Sequence, residues 1–396
     1  MPMKMYRTTD PSIPEITKIF PTLPSMLKKY ERYGRKDFFK GKTEEEFKSW
    51  QDMSRDTLWE LLGLDKMDFC PLVPQIVETI ILECAGNECD TLPVETITRH
   101  HIIMQTEPDV FLTAYLLIPE IANADTPVVL CPPGHNGAGK YTVAGIRTYA
   151  ALRKSIEKYN YDYGLQLAQL GYVVLCPDIR GFGERRECLE DTEQLPQAMK
   201  GDCYWLAHMG EPLGIPVLGM LVWDLMRCVD FFQNYTVTCE RELVQTPHLL
   251  EDAMRWDADR IITFGFSGGA MQSLYLVALE PRIHAAFLSG YMYGFRDSLL
   301  KMNRNCSCNY VPHLMEHFDM GDIASLAAPR RLMIQSCRGD RLNGERGIAN
   351  VQEQVDIIRN NYETAGEAAY VRLDIAEGPH HLDMTHLRET MEWLRK

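Results

Sequence analysis

The pattern of apolar and polar residues changes near residue 120. Before that point, apolar and polar residues alternate at 76–82 and 96–104, and a third strand-like segment, VFLTAYLLIP, follows at 110–119. Alternation is typical of strands that turn one face toward a core, so these segments predict an antiparallel beginning of a sheet. Beyond residue 126, short runs that are apolar throughout alternate with longer segments of helical periodicity.

This second part of the chain repeats a strand–helix unit. The apolar runs lie at 127–131, 172–176, 260–264, 285–289, 331–335 and 370–375, and the helical segments lie at 161–170, 217–233, 268–280, 347–360 and 383–395. Such alternation predicts an α/β fold, a mostly parallel central sheet with helices on both faces. In these sheets, ligand-handling groups lie on loops at the carboxyl ends of the strands.

A helical extension precedes the sheet. Residues 1–42 are rich in Pro, Lys and aromatic residues and predict an irregular arm. Thr43 and Glu46 then form a capping-box pattern. The apolar residues behind it predict one or two amphipathic helices: Phe47, Trp50, Met53, Leu58, Leu61 and Leu62. We therefore predict two domains, a helical arm at 1–70 and the main α/β domain at 71–396.

Net charge and composition restrict the partners. The formal net charge is −14, and 24% of the residues are charged. Nucleic acids and anionic membranes require a basic face, so we expect neither as a partner. No apolar run approaches the roughly 18 residues of a membrane span, and the segment at 1–16 lacks the apolar core of a signal peptide. A small-molecule substrate fits this composition best, and the acidic charge is compatible with a homo-oligomer.

The cysteine pattern predicts a reduced protein without a metal. The twelve cysteines are scattered through apolar segments, and none forms a C-x-x-C pair. Cys306 and Cys308 come nearest to a ligand pair, and we interpret them as two loop thiols. We expect no metal or organic cofactor, and a cytoplasmic location.

The segment ITFGFSGGAM at 262–271 carries the first sign of chemistry. It places Ser267 within a G-x-S-x-G pattern between an apolar strand and a helix, where a nucleophile elbow lies. A side chain on either flanking glycine would clash with the crossing strand and helix. The alternative is a glycine-rich turn with an idle serine.

A serine nucleophile requires a base and an acid. Asp340 follows the strand at 331–335, and the adjacent His380 and His381 follow the last strand. The order Ser, Asp, His is that of an α/β-hydrolase triad. Glu345 is an alternative acid, whereas Asp374 is predicted to be structural and Asp383 to cap the final helix.

Two backbone N–H groups would stabilise an oxyanion. The first is that of Gly268, which follows the serine. The second comes from the loop in VVLCPPGHNGAGK, where we choose the N–H of His135. We do not expect the His135 side chain to bind a metal, because no partner cluster surrounds it in the sequence.

Together these segments resemble α/β-hydrolases of the dienelactone hydrolase and acetyl xylan esterase type. The resemblance covers residues 110–396 and is carried by CPPGHNGAGK, CPDIRGFGE, GMLVWDLMRCVDFF, DRIITFGFSGG, CNYVPHL, AAPRRLMIQ and GPHH. It implies Ser267 as nucleophile, Asp340 as acid and His380, over His381, as base. It also implies that Asp178 and Arg180 brace a loop near the site, and that the N-terminal arm packs on the catalytic domain.

The resemblance implies a serine ester hydrolase acting on short acyl groups such as acetyl, with carbohydrate esters as one class. Dienelactone hydrolases proper carry cysteine at the elbow, so Ser267 argues against that activity. Two aromatic-rich insertions, at 201–214 and 290–314, are predicted to form the pocket walls and lid. Trp205, Tyr291 and Tyr293 would stack on a sugar ring, line an acyl pocket or simply fill the core under a lid. The alternatives are an amide hydrolase and a catalytically idle binding protein of this fold.

Overall fold

A mixed sheet of nine strands forms the centre of the computed structural model, which describes residues 21–84, 94–135, 137–187, 199, 201–237, 256–302 and 304–396. The strands are β1 Gln75–Glu83, β2 Thr96–Glu107, β3 Val110–Pro119, β4 Pro127–Leu130, β5 Val173–Pro177, β6 Asp257–Phe266, β7 Ile283–Ser289, β8 Arg331–Cys337 and β9 Val371–Ala376. Their spatial order is β1-β2-β3-β5-β4-β6-β7-β8-β9. In that order, the ladders from β1 to β5 are antiparallel, and the remaining ones are parallel. The predicted antiparallel beginning and parallel continuation are both confirmed.

The helices cover both faces of this sheet. In the described residues they are α1 Leu23–Tyr33, α2 Glu44–Leu61, α3 Lys140–Val143, α4 Ala150–Tyr159, α5 Tyr163–Gln169, α6 Cys203–Gly210, α7 Val217–Val237, α8 Gly268–Leu279, α9 Leu314–His317, α10 Met320–Ser325, α11 Ile348–Thr364 and α12 Leu387–Leu394. None of them combines the length and the apolar character needed to cross a membrane.

Successive residues of the parallel strands pack into two different hydrophobic clusters, one on each face of the sheet. On β6, Ile261 joins one cluster, whereas Ile262 and Phe264 join the cluster on the other face. On β8, Ile334 and Met333 divide in the same way. Because successive side chains of a strand point to opposite faces, a strand covered on both sides is apolar throughout. This burial is the physical origin of the apolar runs in the sequence.

The N-terminal helices pack against the far ends of the core helices. The predicted capping box is present, since Thr43 and Glu46 each bond the other's backbone N–H. Gln51 of α2 donates to the carbonyl of Ala328 at 2.8 Å, and Arg55 donates to that of Ala278 at 3.0 Å. The predicted arm therefore contacts the α/β domain through residues 21–66, while residues 1–20 lie outside the described residues. The boundary at residue 70 stays a prediction.

The final helix begins later than predicted, and its cap was assigned wrongly. Helix α12 starts at Leu387, and the residue at its N-cap position is His386. Asp383 instead accepts the backbone N–H of Thr385 at 2.9 Å, and its own N–H donates to Gln335. Asp383 thus closes a turn before the helix, so the prediction that it caps α12 was wrong.

Candidate active site

Ser267 lies at a sharp turn between β6 and α8. Its backbone has φ of 57° and ψ of −120°, a left-handed conformation that is strained for a residue with a side chain. The Ser267 N–H donates to the carbonyl of Ser289 at 2.8 Å, which ties the turn to the end of β7. This strain is a feature of nucleophile elbows, because it lifts the serine side chain out of the strand.

The flanking glycines make this turn sterically feasible. A Cβ at Gly265 would lie 2.3 Å from the backbone of Gly269, and a Cβ at Gly269 would lie 2.3 Å from the carbonyl oxygen of Pro132. Both distances are far below van der Waals contact. The G-x-S-x-G pattern therefore reflects the close crossing of β6, α8 and the loop after β4, as predicted from the sequence.

His380 and Asp340 form a hydrogen-bonded pair. The His380 Nδ1 atom lies 2.6 Å from Asp340 Oδ2, and the Asp340 side chain is 1% exposed. Because a carboxylate can only accept, the neutral imidazole carries its proton on Nδ1 in this pair and has its lone pair on Nε2. Asp340 Oδ1 also accepts the N–H of Leu342 at 2.8 Å, which fixes the carboxylate.

Stacking orients the His380 ring toward the elbow. The ring lies on Phe266, the residue before the serine, with centroids 4.7 Å apart and an interplanar angle of 28°. Its neighbour His381 faces elsewhere, because His381 Nδ1 lies 2.8 Å from the Pro379 carbonyl and 3.4 Å from Cys337 Sγ. The structure thus pairs His380, and not His381, with Asp340. The alternative acid Glu345 has a 66% exposed side chain and pairs with Lys301.

The three predicted triad residues line one cavity of about 560 Å³. Its other lining residues are His135, Lys158, Tyr159, Gly268, Tyr291, Tyr293, Arg304, Asn305, Cys306, Asn309, Gly339, Arg341, Leu342 and Pro379. The cavity opens at the carboxyl ends of β6, β7 and β8, where the fold class places its sites. Small-molecule sites in proteins commonly have volumes in this range.

The candidate oxyanion donors lie close together at the elbow. Gly268 begins α8, so its N–H has no partner within the helix. The backbone nitrogen of His135 lies 3.3 Å from the position that a Cβ on Gly268 would occupy. These two N–H groups therefore lie in one small region beside the serine, where the dipole of α8 also favours a negative charge.

Buried tyrosines hold the His135 loop, a feature that sequence analysis missed. The Tyr161 hydroxyl donates to the His135 carbonyl at 2.5 Å, and the Tyr163 hydroxyl donates to the Pro132 carbonyl at 2.6 Å. From the other side, Gln272 of α8 donates to the Pro133 carbonyl at 3.0 Å. The triple aromatic pattern at 159–163 was the only signal in the sequence. Side-chain donors thus satisfy the carbonyls of Pro132, Pro133 and His135 in a loop that has no regular secondary structure.

Asp178 anchors the far end of the same loop. This buried carboxylate accepts the backbone N–H of Lys140 at 2.7 Å and the Lys140 ammonium at 2.5 Å. Although burial opposes ionisation, Lys140 holds the pKa of its second partner, Glu184, below the ordinary value. Arg180 pairs with Asp224 at 3.1 Å. Both residues that the resemblance implied as braces lie in buried ionic networks behind the site.

The two predicted insertions contribute unequally to the cavity. Tyr291 and Tyr293 line it while being only 3% and 2% exposed, and burial raises the pKa of both hydroxyls well above the usual value. The Tyr291 ring is fixed by a 3.0 Å hydrogen bond from its hydroxyl to Asn309. Trp205, in contrast, is 57% exposed and is not among the residues that line this cavity. Its ring contacts Tyr204 instead, since α6 turns that face outward.

A group of sulfur atoms lies at the cavity wall, which His135 and Cys306 help to form. The side-chain ligand atoms of His135, Cys203, Cys306 and Cys308 all lie within 4.8 Å of one another. His135 Nε2 is 3.3 Å from Cys308 Sγ. Hydrogen bonds from Cys203 and then Cys308 hold the pKa of the Cys306 thiol well below its usual value. The expectation that no partner cluster surrounds His135 was wrong, because the cluster forms only through tertiary contacts, and both loop thiols, Cys306 and Cys308, belong to it.

Comparison with known proteins places the chain in a family. The model of the Abhydrolase family matches residues 20–384. YtaP of Bacillus subtilis (strain 168), which carries a provisional assignment as a hydrolase, is 25% identical over 348 residues, covering 86% of this chain and 98% of that protein.

Solved structures share the fold at low sequence identity. A protein of Bacteroides fragilis NCTC 9343, provisionally assigned as an acetyl xylan esterase, superposes with a TM-score of 0.67 at 19% identity, covering 96% of this chain and 86% of its own. A glucuronoyl esterase from Solibacter usitatus gives a TM-score of 0.56 at 15% identity, covering 88% and 92% respectively. The family match covers most of the chain, and the chain therefore belongs to the Abhydrolase family of α/β-hydrolase enzymes.

Proposed function

We propose that this protein is a serine carboxylic ester hydrolase that acts through an acyl-enzyme. The observation that carries the proposal is the 2.6 Å hydrogen bond between His380 and Asp340. The His380 ring of this pair stacks on Phe266, which directly precedes the strained Ser267 in the same cavity. An idle serine in a glycine-rich turn would need none of these partners. Serine is inert at its free pKa, whereas a neighbouring imidazole with a free lone pair activates it.

The reaction follows from the protonation states. His380 Nε2 accepts the proton of Ser267 as the Oγ attacks the ester carbonyl, and Asp340 stabilises the imidazolium that forms. The N–H groups of Gly268 and His135 donate to the oxyanion of the tetrahedral intermediate. His380 then protonates the leaving alcohol. Water attacks the acyl-enzyme with His380 again as base, which releases the acid and restores Ser267.

The cavity supports a short acyl group and a polar alcohol as substrate. Tyr159, Tyr291 and Tyr293 offer aromatic surface, and Asn305 and Asn309 offer hydrogen bonds. This mixture suits a sugar ring, whose faces are apolar and whose edges carry hydroxyl groups. The names of the structural neighbours, which include acetyl xylan and glucuronoyl esterases, agree with an ester of a carbohydrate.

A specific charge pattern favours an acidic sugar ester within that class. Lys158, Arg304 and Arg341 line the cavity of a chain whose net charge is −14. Cations concentrated at one cavity of an acidic protein attract an anionic group there. We therefore propose acetyl esters of uronate-containing sugars as preferred substrates over those of neutral sugars. The test compares kcat/KM for the uronate-containing and the neutral substrate at low and at high salt. Salt screens the attraction between the cavity cations and the uronate, so kcat/KM should fall with salt for the uronate-containing substrate only.

The first experiment compares four proteins: the wild type, Ser267→Ala, His380→Asn and His381→Asn. We expect wild-type turnover of p-nitrophenyl acetate and a single fluorophosphonate adduct by intact-mass measurement. Ser267→Ala should lose both, and His380→Asn should lose about 10⁴-fold or more in kcat. The matched control His381→Asn should retain activity.

Other results would favour the alternatives. Fluorophosphonate labelling without hydrolysis of any ester would point to an amide hydrolase. If the wild type neither labels nor hydrolyses, Ser267 is not activated, and a binding protein of this fold becomes the better interpretation. The predicted cytoplasmic location and homo-oligomer stay predictions.

A further inference from the structure

The sulfur cluster at the cavity wall brings together three separate parts of the chain. His135 belongs to the loop after β4, Cys203 is the first residue of α6, and Cys306 and Cys308 belong to the wall segment after β7. Cys203 and Cys308 are 0% and 2% exposed. Sulfur and imidazole side chains from distant segments thus converge on one point at the cavity wall, with Cys203 and Cys308 on its buried side.

The spacing of these atoms fits a tetrahedral ion. With zinc–sulfur bonds of about 2.3 Å and zinc–nitrogen bonds of about 2.0 Å, neighbouring ligand atoms lie roughly 3.5–3.8 Å apart. The structure has all four atoms within 4.8 Å of one another, with 3.3 Å between His135 Nε2 and Cys308 Sγ. A disulfide would use only two of the sulfurs and would not explain the imidazole.

We propose that His135, Cys203, Cys306 and Cys308 form a Cys₃His zinc site. Three thiolates and a neutral imidazole are ligands that tetrahedral zinc prefers, over the oxygen ligands of magnesium or calcium. Four protein ligands leave no open position, so the ion is structural and activates no water. Binding releases thiol protons and gives a group with net charge −1, buried beside the cavity.

The ion would position the donor loop, a role that depends on the proposed esterase function. Zinc on Nε2 leaves the imidazole proton on Nδ1. This Nδ1 atom lies 2.6 Å from the position of a Cβ on Gly268, so the ring itself packs on the first turn of α8. Fixing the ring therefore also fixes the backbone N–H of His135 beside that of Gly268. The same ion would join this loop to the cavity wall that carries Asn309.

Metal analysis tests the site without reference to activity. We expect about one zinc per purified chain, measured by inductively coupled plasma mass spectrometry after dialysis. Cys203→Ser, Cys306→Ser and Cys308→Ser should each lose most of it. Cys84→Ser, at the cysteine that follows β1, should retain it. Replacement by Co²⁺ should give thiolate-to-cobalt charge-transfer bands that the three ligand variants lack.

Several results would overturn the site. One is a wild-type chain that neither carries zinc nor acquires it from a buffered zinc solution. Another is a cobalt spectrum without thiolate bands. A third is a disulfide between two of the three cysteines in protein purified without reductant. Misfolding of one variant does not decide the outcome, because zinc content and cobalt spectra of the wild type are independent of it.

The two proposals fail in distinguishable ways. If both proposals hold, Ser267→Ala is inactive and still binds zinc. A wild-type chain that is active without zinc would support the esterase proposal and contradict the zinc site. For the positioning role, we expect Cys306→Ser to lower kcat up to about 100-fold with little change in KM, since an oxyanion donor acts mainly on the transition state. A change in KM alone would contradict that role.

Discussion

Replacing Asp340 by Asn isolates the electrostatic part of the proposed triad. The substitution is nearly isosteric, and the amide side chain would keep an oxygen for the N–H of Leu342, which Asp340 accepts at 2.8 Å. It removes the charge that faces His380 Nδ1 at 2.6 Å and puts an amide NH₂ there as an alternative donor. An amide that donates to Nδ1 leaves the proton on Nε2, where it blocks proton transfer from the serine.

The expected loss follows from the charge pair in the transition state. An imidazolium and a carboxylate whose charge centres are about 4 Å apart attract by about 4 kcal/mol at an effective dielectric constant near 20. A loss of that free energy in the transition state corresponds to a rate that is about 1,000-fold lower, and the wrong tautomer of His380 lowers the rate further. We therefore expect kcat/KM to fall by about 10³- to 10⁴-fold, the upper value being that of the same change in a well-studied serine protease.

The assay is p-nitrophenyl acetate hydrolysis together with the rate of fluorophosphonate labelling, with thermal unfolding to verify the fold. The matched control is Glu345→Gln, which removes the alternative acid from an exposed position and should leave both rates within about twofold. Activity of Asp340→Asn within tenfold of the wild type, in a folded protein, would refute the role of Asp340. A large loss in Glu345→Gln would move that role to Glu345.

Three further substitutions test the support of the site. Tyr161→Phe removes the 2.5 Å hydrogen bond to the His135 carbonyl and should cost about 1–3 kcal/mol of unfolding free energy, measured by denaturant titration, and lower kcat. Gly269→Ala places a methyl group 2.3 Å from the Pro132 carbonyl, so thermal unfolding should show a large loss of stability. Burial raises the pKa of Asp319 to about 6, so the folded state favours its protonated form. Asp319 thus contributes stability below pH 4 that is lost as the pH rises through 6, and Asp319→Asn should flatten this dependence, by at most about 3 kcal/mol, in urea titrations from pH 4 to 7.

Two of these changes have matched controls at exposed side chains. Tyr204→Phe, at a 58% exposed tyrosine, should change neither stability nor kcat. Asp56→Asn, on the exposed face of α2, should leave the pH dependence as in the wild type. Unchanged kcat in Tyr161→Phe, a wild-type melting temperature in Gly269→Ala, or an unchanged pH dependence in Asp319→Asn would each contradict the corresponding argument.

The sheet and the elbow were predictable because their signals are local. A strand buried on both faces must be apolar throughout, and the crossing at Ser267 requires glycine on both sides. The proximity of Asp340 and His380 could be predicted because loops at the carboxyl ends of parallel strands meet at one edge. In each case a neighbouring stretch of sequence, or one rule about sheets, was sufficient.

Features without such a local signal were missed. Helix α4 has only Leu152 and Ile156 as large buried apolar residues among charged neighbours, so its periodicity is weak. The predicted start of α12 was wrong because Asp383 bonds to Gln335 on β8, a contact that no local pattern encodes. Trp205 was a candidate pocket residue because its aromatic-rich segment was placed at the carboxyl edge of the sheet, and that placement does not say which side of a short helix faces inward.

The sulfur cluster also lacks a local signal in the sequence, and it bears more directly on function. Zinc motifs are recognised in sequences when two ligands lie close together on each of two short segments. Here Cys306 and Cys308 are one such pair, but the other two candidate ligands are far apart in sequence, His135 in the loop after β4 and Cys203 at the start of α6. The cluster therefore exists only once the fold is formed. Because His135 is also the candidate oxyanion donor, one residue would face the metal with its side chain and the reacting carbonyl with its backbone. In an esterase built in this way, the donor loop would be held both by ligands from distant segments and by the hydrogen bonds from Tyr161, Tyr163 and Gln272 to its carbonyls.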